Sequence, residues 1–179
     1  MFSEVIKNVK NNTPLVHNIT NYVTVNDCAN ILLACGGSPI MADDIEEVEE
    51  ITSISSALVI NIGTLNSRTV ESMIKSGKKA NELNIPVVLD PVGAGASRFR
   101  TDTAFRLLDE IKFAVIRGNM SEIKAVGKVN TSKSRGVDAG VSDSITEGNV
   151  NEIAKYVETL SEKLNAVVAV TGAIDIISD

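Results

Sequence analysis

Pro86-Val87-Val88-Leu89-Asp90-Pro91-Val92-Gly93-Ala94-Gly95-Ala96 is the stretch from which the rest of the chain can be read. Its opening residues are a short, apolar, β-branched run that reads as a buried strand over Pro86–Leu89. Asp90 stands at the strand's end, and Pro91 stops the ladder because it has no N–H to donate. Two glycines then give a backbone that can approach a ligand closely. Three other runs have the same character: Ala57–Ile62, Phe113–Ile116 and Ala166–Val170.

Helical periodicity fills the intervals. Ser67 to Leu83 puts Val70, Met73, Ile74, Gly77, Ala80 and Leu83 on one face. Asn149 to Leu164 does the same with Val150, Ile153, Ala154, Val157, Leu160 and Leu164. Strands alternating with amphipathic helices predict an α/β fold with a mostly parallel central sheet flanked by helices. Right-handed crossovers put all the strand C-termini on one edge, and ligands bind beyond that edge. Earlier in the chain, Val25 to Cys35 reads as a buried helix, Ser38–Met41 as a further short strand and Asp43 to Ser55 as another helix. The Gly, Ser, Lys and Asp-rich stretch from Gly127 to Ser144 reads as a long surface loop. No internal repeat or domain boundary is visible, so residues 1–179 read as a single domain.

Composition narrows the function. The 179 residues are 44% hydrophobic and only 3% aromatic, with no Trp, so the core must be aliphatic. The net charge of −6 comes without any Lys/Arg run, which argues against nucleic-acid binding. No apolar run approaches a membrane span, and the polar, mixed-charge N-terminus is not a signal peptide. Cys28 and Cys35 lie two helical turns apart, about 10 Å, too far for a disulfide. Both read as small buried hydrophobes in a reducing cytoplasm.

The residues following each strand carry the candidate chemistry. Asp90 could bind Mg²⁺, which favours one or two carboxylates with phosphates and waters, or simply cap a turn. After the third strand comes Arg117-Gly118-Asn119-Met120-Ser121-Glu122. Arg117 could reach a phosphate with its fork of donors. Asn119 and Glu122 have capping-box spacing, while Glu122 could equally turn toward a phosphate and Mg²⁺ site. Thr171-Gly172 follows the fourth strand and offers a hydroxyl. Val16-His17-Asn18-Ile19-Thr20-Asn21-Tyr22-Val23 is rich in groups that hydrogen-bond heterocycles, and its lone His17 reads as a structural hydrogen-bonder. His/Cys metal clusters are not supported.

A series of segments resembles the hydroxyethylthiazole kinase family. They are Pro14 to Asn21, Gly37-Ser38-Pro39-Ile40-Met41-Ala42, Leu58 to Leu65, Val88 to Ala96, Ile116 to Glu122 and Val168 to Gly172. They follow the family's order and rough spacing from about Thr13 onward. The resemblance implies a ribokinase-like fold, a homotrimer with active sites between subunits, and phosphorylation of 4-methyl-5-(2-hydroxyethyl)thiazole by ATP in thiamine biosynthesis and salvage. It implies that Met41 contacts the thiazole, with Asn21 and Val23 close by. It further implies that Arg117 and Thr171 bind ATP, and that Asp90 and Glu122 belong to the Mg²⁺ and phosphate site.

Family members also continue with a Gly-Thr-Gly-Cys loop whose cysteine takes the place of the catalytic base. The resemblance puts that segment beyond Asp179, so no catalytic residue is assigned here, and this chain by itself is expected to be inactive. Two other readings stay open. One is a related kinase of another small alcohol, such as a hydroxymethylpyrimidine. The other is a non-catalytic ligand-binding or oligomerisation fragment.

Overall fold

The computed structural model describes residues 2–128 and 143–179. The loop expected over Gly127–Ser144 therefore lies almost wholly outside the described residues. The chain divides into two compact units, Met1–Val87 and Val88–Asp179.

The first unit runs α1 (Phe2–Asn12), β1 (Leu15–Ile19), α2 (Val25–Cys35), β2 (Ser38–Ile40), α3 (Val48–Ser53), β3 (Ala57–Asn61) and α4 (Ser67–Glu82). Its strand order is β2-β1-β3, with both pairs parallel. The central strand β1 is buried from Val16 to Ile19, as expected of a parallel strand covered on both faces. Ser38 donates its N–H to the Pro14 carbonyl at 2.8 Å. Pro39, the next residue, therefore turns its nitrogen to the outer side of this end strand.

Helix α4 starts at Asn66, whose side chain accepts from the Thr69 N–H while Thr69 answers the Asn66 N–H, a complete capping box. Val70, Met73, Ile74, Gly77 and Ala80 are buried along it, matching the expected face. Leu83 does not follow them. It is the C-cap, where the helical phase ends, and is 47% exposed.

Two expectations fail at α2. The helix forms over the residues expected, but none of them is buried. Ile31 and Leu33 are 61% and 59% exposed. Apolar content alone suggested burial. In this unit the sheet neighbour of α2 is the three-residue β2, too short to cover three turns of helix. Cys28 is accordingly half-buried and Cys35 exposed, both as free thiols.

The second unit runs β4 (Val87–Asp90), which straddles the boundary, then α5 (Arg98–Glu110), β5 (Val115–Asn119), α6 (Met120–Gly127), α7 (Val150–Leu164), β6 (Val167–Thr171) and β7 (Ile176–Ser178). The order is β4-β5-β6-β7, parallel except for β6–β7. Leu89, Ile116, Val168 and Val170 from the strands and Leu107, Ile123, Val126, Ile153 and Val157 from the helices form its fully buried core. That core is aliphatic, as the composition required. The chain is thus α/β with mostly parallel strands and covering helices. Among the described residues no helix is long and apolar enough to cross a membrane.

Candidate functional site

Strands β5 and β6 end level with one another, because Asn119 is the register partner of Thr171. Asp90 closes the parallel strand β4 on the other side of β5. The three residues singled out at strand ends thus lie along one edge of the second unit, as the crossover rule predicts.

The chain leaving Asp90 makes two successive tight turns, with Ala94 N–H on the Pro91 carbonyl at 2.9 Å and Ala96 N–H on the Gly93 carbonyl at 3.0 Å. Gly93 sits at φ 72°, where a side chain would be strained, and a Cβ there would come within 3.1 Å of Arg100 Cδ. Two residues of α5 hold the turns in place. Arg100 Nη1 donates to the Val92 carbonyl at 2.8 Å, and Thr101 Oγ1 accepts from Gly95 N–H at 2.9 Å.

Glu122 joins this loop to α6. Its Oε2 accepts from Asn119 N–H at 2.9 Å, while Asn119 Oδ1 accepts from Glu122 N–H at 2.9 Å. That is the capping box read from the spacing. Its Oε1 does something further and accepts from Gly93 N–H at 2.8 Å. One carboxylate therefore staples the glycine turn after β4 to the start of α6. Gly118 makes room for it: a Cβ there would meet Glu122 Oε2 at 3.1 Å and Glu122 Cβ at 3.3 Å.

Arg117 extends its guanidinium toward Asp90, with Nη1 3.4 Å from Oδ2. The distance is long, and Arg117 is half-exposed, so the contact adds little stability. It does leave most of the five N–H donors of Arg117 for a ligand. Two residues further along β5, Asn119 joins Met120, Ser121, Ile145, Thr171 and Gly172 in lining a cleft of about 300 Å³.

No group of three or more His, Cys, Asp or Glu among the described residues could hold a metal ion. The two carboxylates at this edge, Asp90 and Glu122, suit an ion that takes its remaining ligands from phosphates and water. Asp90 brings a largely buried carboxylate, and Glu122, although each oxygen takes one backbone N–H, keeps further lone pairs. That pattern fits Mg²⁺.

In the first unit, Asn21 is buried and spends its side chain on the chain itself. Its Oδ1 accepts from Val23 N–H, Thr24 N–H and the Thr24 hydroxyl at 3.0–3.1 Å, and its Nδ2 donates to Asn61 Oδ1 at 3.0 Å. It shapes the turn that leaves Val23 81% exposed. Tyr22, in the same turn, donates its hydroxyl to Asp43 Oδ2 at 3.1 Å, two residues beyond half-buried Met41. The turn and the segment leaving β2 thus meet. His17 is wholly buried and hydrogen-bonded on both ring nitrogens, the structural role read for it. Burial pushes its imidazole below the ordinary 6.5, against the opposing pull of the Ala42 hydrogen bond and the Glu47 charge.

Arg100, Thr101 and the Gly93–Glu122 link were not found from sequence. Ser97 was the available signal. It caps α5 by accepting from Arg100 N–H, and Ala104 and Leu107 follow at helical spacing.

The model of the "HK: Hydroxyethylthiazole kinase family" matches residues 6–179. A hydroxyethylthiazole kinase of Clostridium acetobutylicum is 59% identical over 179 residues, covering 100% of this chain and 65% of the relative. One of Clostridium beijerinckii is 66% identical over 174 residues, covering 97% of this chain and 62% of the relative. The chain thus spans somewhat less than two thirds of these relatives' lengths. The solved structure of a hydroxyethylthiazole kinase protein from Pyrococcus horikoshii OT3 superposes with a TM-score of 0.84 at 44% identity, over 98% of this chain and 62% of that one. The chain belongs to the hydroxyethylthiazole kinase family.

Proposed function

We propose that this chain carries the ATP-binding and much of the substrate-binding part of a kinase that phosphorylates the hydroxyl of 4-methyl-5-(2-hydroxyethyl)thiazole. On this reading the whole of residues 1–179 belongs to one ribokinase-like domain. The observation that carries the proposal is the Glu122 carboxylate tying the Gly93 turn to α6, between Asp90 and the Thr171 cleft. Phosphoryl transfer asks a protein mainly for positioning and charge neutralisation, and this edge offers both.

The roles follow from position. Arg117 neutralises phosphate charge with its remaining donors, and Thr171, facing the cleft beside Asn119, gives a hydroxyl to the nucleotide. Asp90 and Glu122 would hold Mg²⁺, which supplies charge neutralisation between phosphates when bound. Glu122 also keeps the glycine turn open to phosphate. Met41 and Val23 offer apolar surface to the thiazole, and Asn21 fixes the turn that presents Val23. The alcohol oxygen forms the new bond to the γ-phosphorus as the bond from that phosphorus to the β,γ-bridging oxygen breaks, the bridging oxygen leaves on ADP with the electron pair, and the hydroxyl proton passes to water. We further propose a homotrimer working in the cytoplasm. The family likeness supports both.

The test is ADP release by the full-length protein with Mg-ATP and the thiazole alcohol, beside a hydroxymethylpyrimidine as competing acceptor. Thiazole-dependent turnover supports the reading. Preference for the pyrimidine would make this a kinase of another alcohol, and thiazole binding without ADP release would make it a binding module. Either of these overturns the proposal.

A further inference from the structure

We infer that His17 is a positioning residue for the alcohol pocket, a deepening that rests on the reading that places the thiazole against Met41. Ladder pairing of β1 with β2 stops at His17 and Ile40. Met41 follows at once and lies outside any strand or helix, as do residues 42 to 44. The sheet therefore does not fix Met41. The first buried hydrogen bond after the ladder is made by the carbonyl of the next residue, Ala42, which lies 2.8 Å from His17 Nε2.

The donor assignment follows from chemistry. A carbonyl only accepts, so Nε2 carries the proton. In the neutral ring Nδ1 is then an acceptor, and its partner 2.9 Å away is the Thr52 hydroxyl on α3. Thr52 Oγ1 also lies 2.7 Å from the Val48 carbonyl, so its single proton has a second acceptor in reach. His17 thus spans from α3 through the centre of the sheet to the residue after Met41. The segment's other ties are the exposed side-chain contacts of Tyr22 and Arg68 with Asp43 and of Arg68 with Asp44, and at its far end the Asp44 carbonyl, which accepts from Glu47 N–H and Val48 N–H at 3.1 Å where α3 begins. On the Met41 side of that turn, the buried side-chain hydrogen bond that holds the segment is the one from His17 to Ala42.

The geometry separates two amide substitutions. The longer Gln side chain can place its amide where Nε2 stands and keep the Ala42 bond. Asn, one methylene shorter, reaches only the Nδ1 position and keeps Thr52 instead. The experiment measures KM for the thiazole alcohol, KM for ATP, kcat and the melting temperature on full-length wild type, His17→Gln, His17→Asn and Thr52→Val.

Expected is a rise of about tenfold or more in alcohol KM for His17→Asn, with KM for ATP nearly unchanged. His17→Gln should restore most of the alcohol KM, and Thr52→Val should lower the melting temperature while leaving that KM near wild type. Equal alcohol KM in the Gln and Asn proteins would overturn the inference, as would a loss that tracks melting temperature across all three variants. Absence of thiazole phosphorylation by the wild-type protein would instead defeat the kinase reading, so the two failures are distinguishable. If His17→Asn does not fold, an alcohol KM in His17→Gln raised as much as that for ATP is the overturning result.

Discussion

Glu122 stands where a metal ligand was expected, yet both of its oxygens already accept backbone N–H groups. If it is a structural staple, removing it must cost stability whether or not any nucleotide is present. The bond from Asn119 N–H lies at an exposed helix start, and losing such a cap interaction costs about 1 kcal/mol. The bond from Gly93 N–H is partly buried and ends on a carboxylate, a class worth about 1.5–3 kcal/mol. Water can replace part of each, so Glu122→Ala should cost about 2–4 kcal/mol. Glu122→Gln keeps the shape but turns an NH₂ toward one of the two N–H donors whichever way the amide is flipped, so it should lose at least half as much. Urea unfolding of the chain without ligand reads this directly. With a slope of about 2 kcal/mol/M, the midpoint for Ala should fall by about 1–2 M. A midpoint unchanged or raised in Glu122→Ala would refute the reasoning. It would mean that Glu122 is a purely functional carboxylate whose removal relieves the fold.

Three further outcomes follow from the same geometry. Gly118→Ala should destabilise by about 1–2 kcal/mol because its methyl crowds Glu122, and the effect should shrink without vanishing in a Glu122→Ala background, where the Oε2 contact is gone and the Glu122 Cβ contact stays, which a double-mutant cycle in urea would measure. Arg117→Lys should leave unfolding unchanged, since the Asp90 contact is weak and partly exposed, but on the kinase reading should raise KM for ATP by about tenfold, because a point charge replaces a fork. His17 has a folded pKa below its unfolded value of 6.5. The unfolded chain therefore binds more protons just below that pH, and the folded state loses stability as pH falls from 6.5 toward the lowered value. Unfolding curves for wild type and His17→Gln should share one pH dependence above this window and diverge within it, with the wild type falling more steeply.

Much of this was legible in the chain because burial and periodicity leave a mark on residue type. The strands at 57, 87, 115 and 167 begin within two residues of their expected starts, since β-branched runs flanked by turn residues have few other uses. Strand β1 was hidden by His17 and Asn18, two polar residues that are nonetheless buried and hydrogen-bonded inside the unit. Helix α5 was hidden because Arg and Asp dominate its exposed surface. The error at α2 runs the other way: Ile31, Leu33 and Cys35 look like core residues, and sequence pattern records apolarity without recording what covers it. In the site, the spacing of Asn119 and Glu122 correctly gave the capping box. The bond to Gly93 spans 29 residues of chain and depends on where two strands end, information that no local pattern holds.

Pro39 carries a consequence for behaviour in concentrated solution. An end strand with a free row of N–H and C=O groups is a template on which foreign strands can grow into aggregates. Because Ser38 spends its N–H on Pro14, the outward-facing amide of the three-residue β2 would belong to residue 39, and proline has none to offer. Replacing it with Thr would supply that missing donor and leave the strand's shortness as the remaining obstacle to pairing. The fold would change little, but this margin would become sticky, and the variant should form thioflavin-positive aggregates under agitation sooner than the parent protein does.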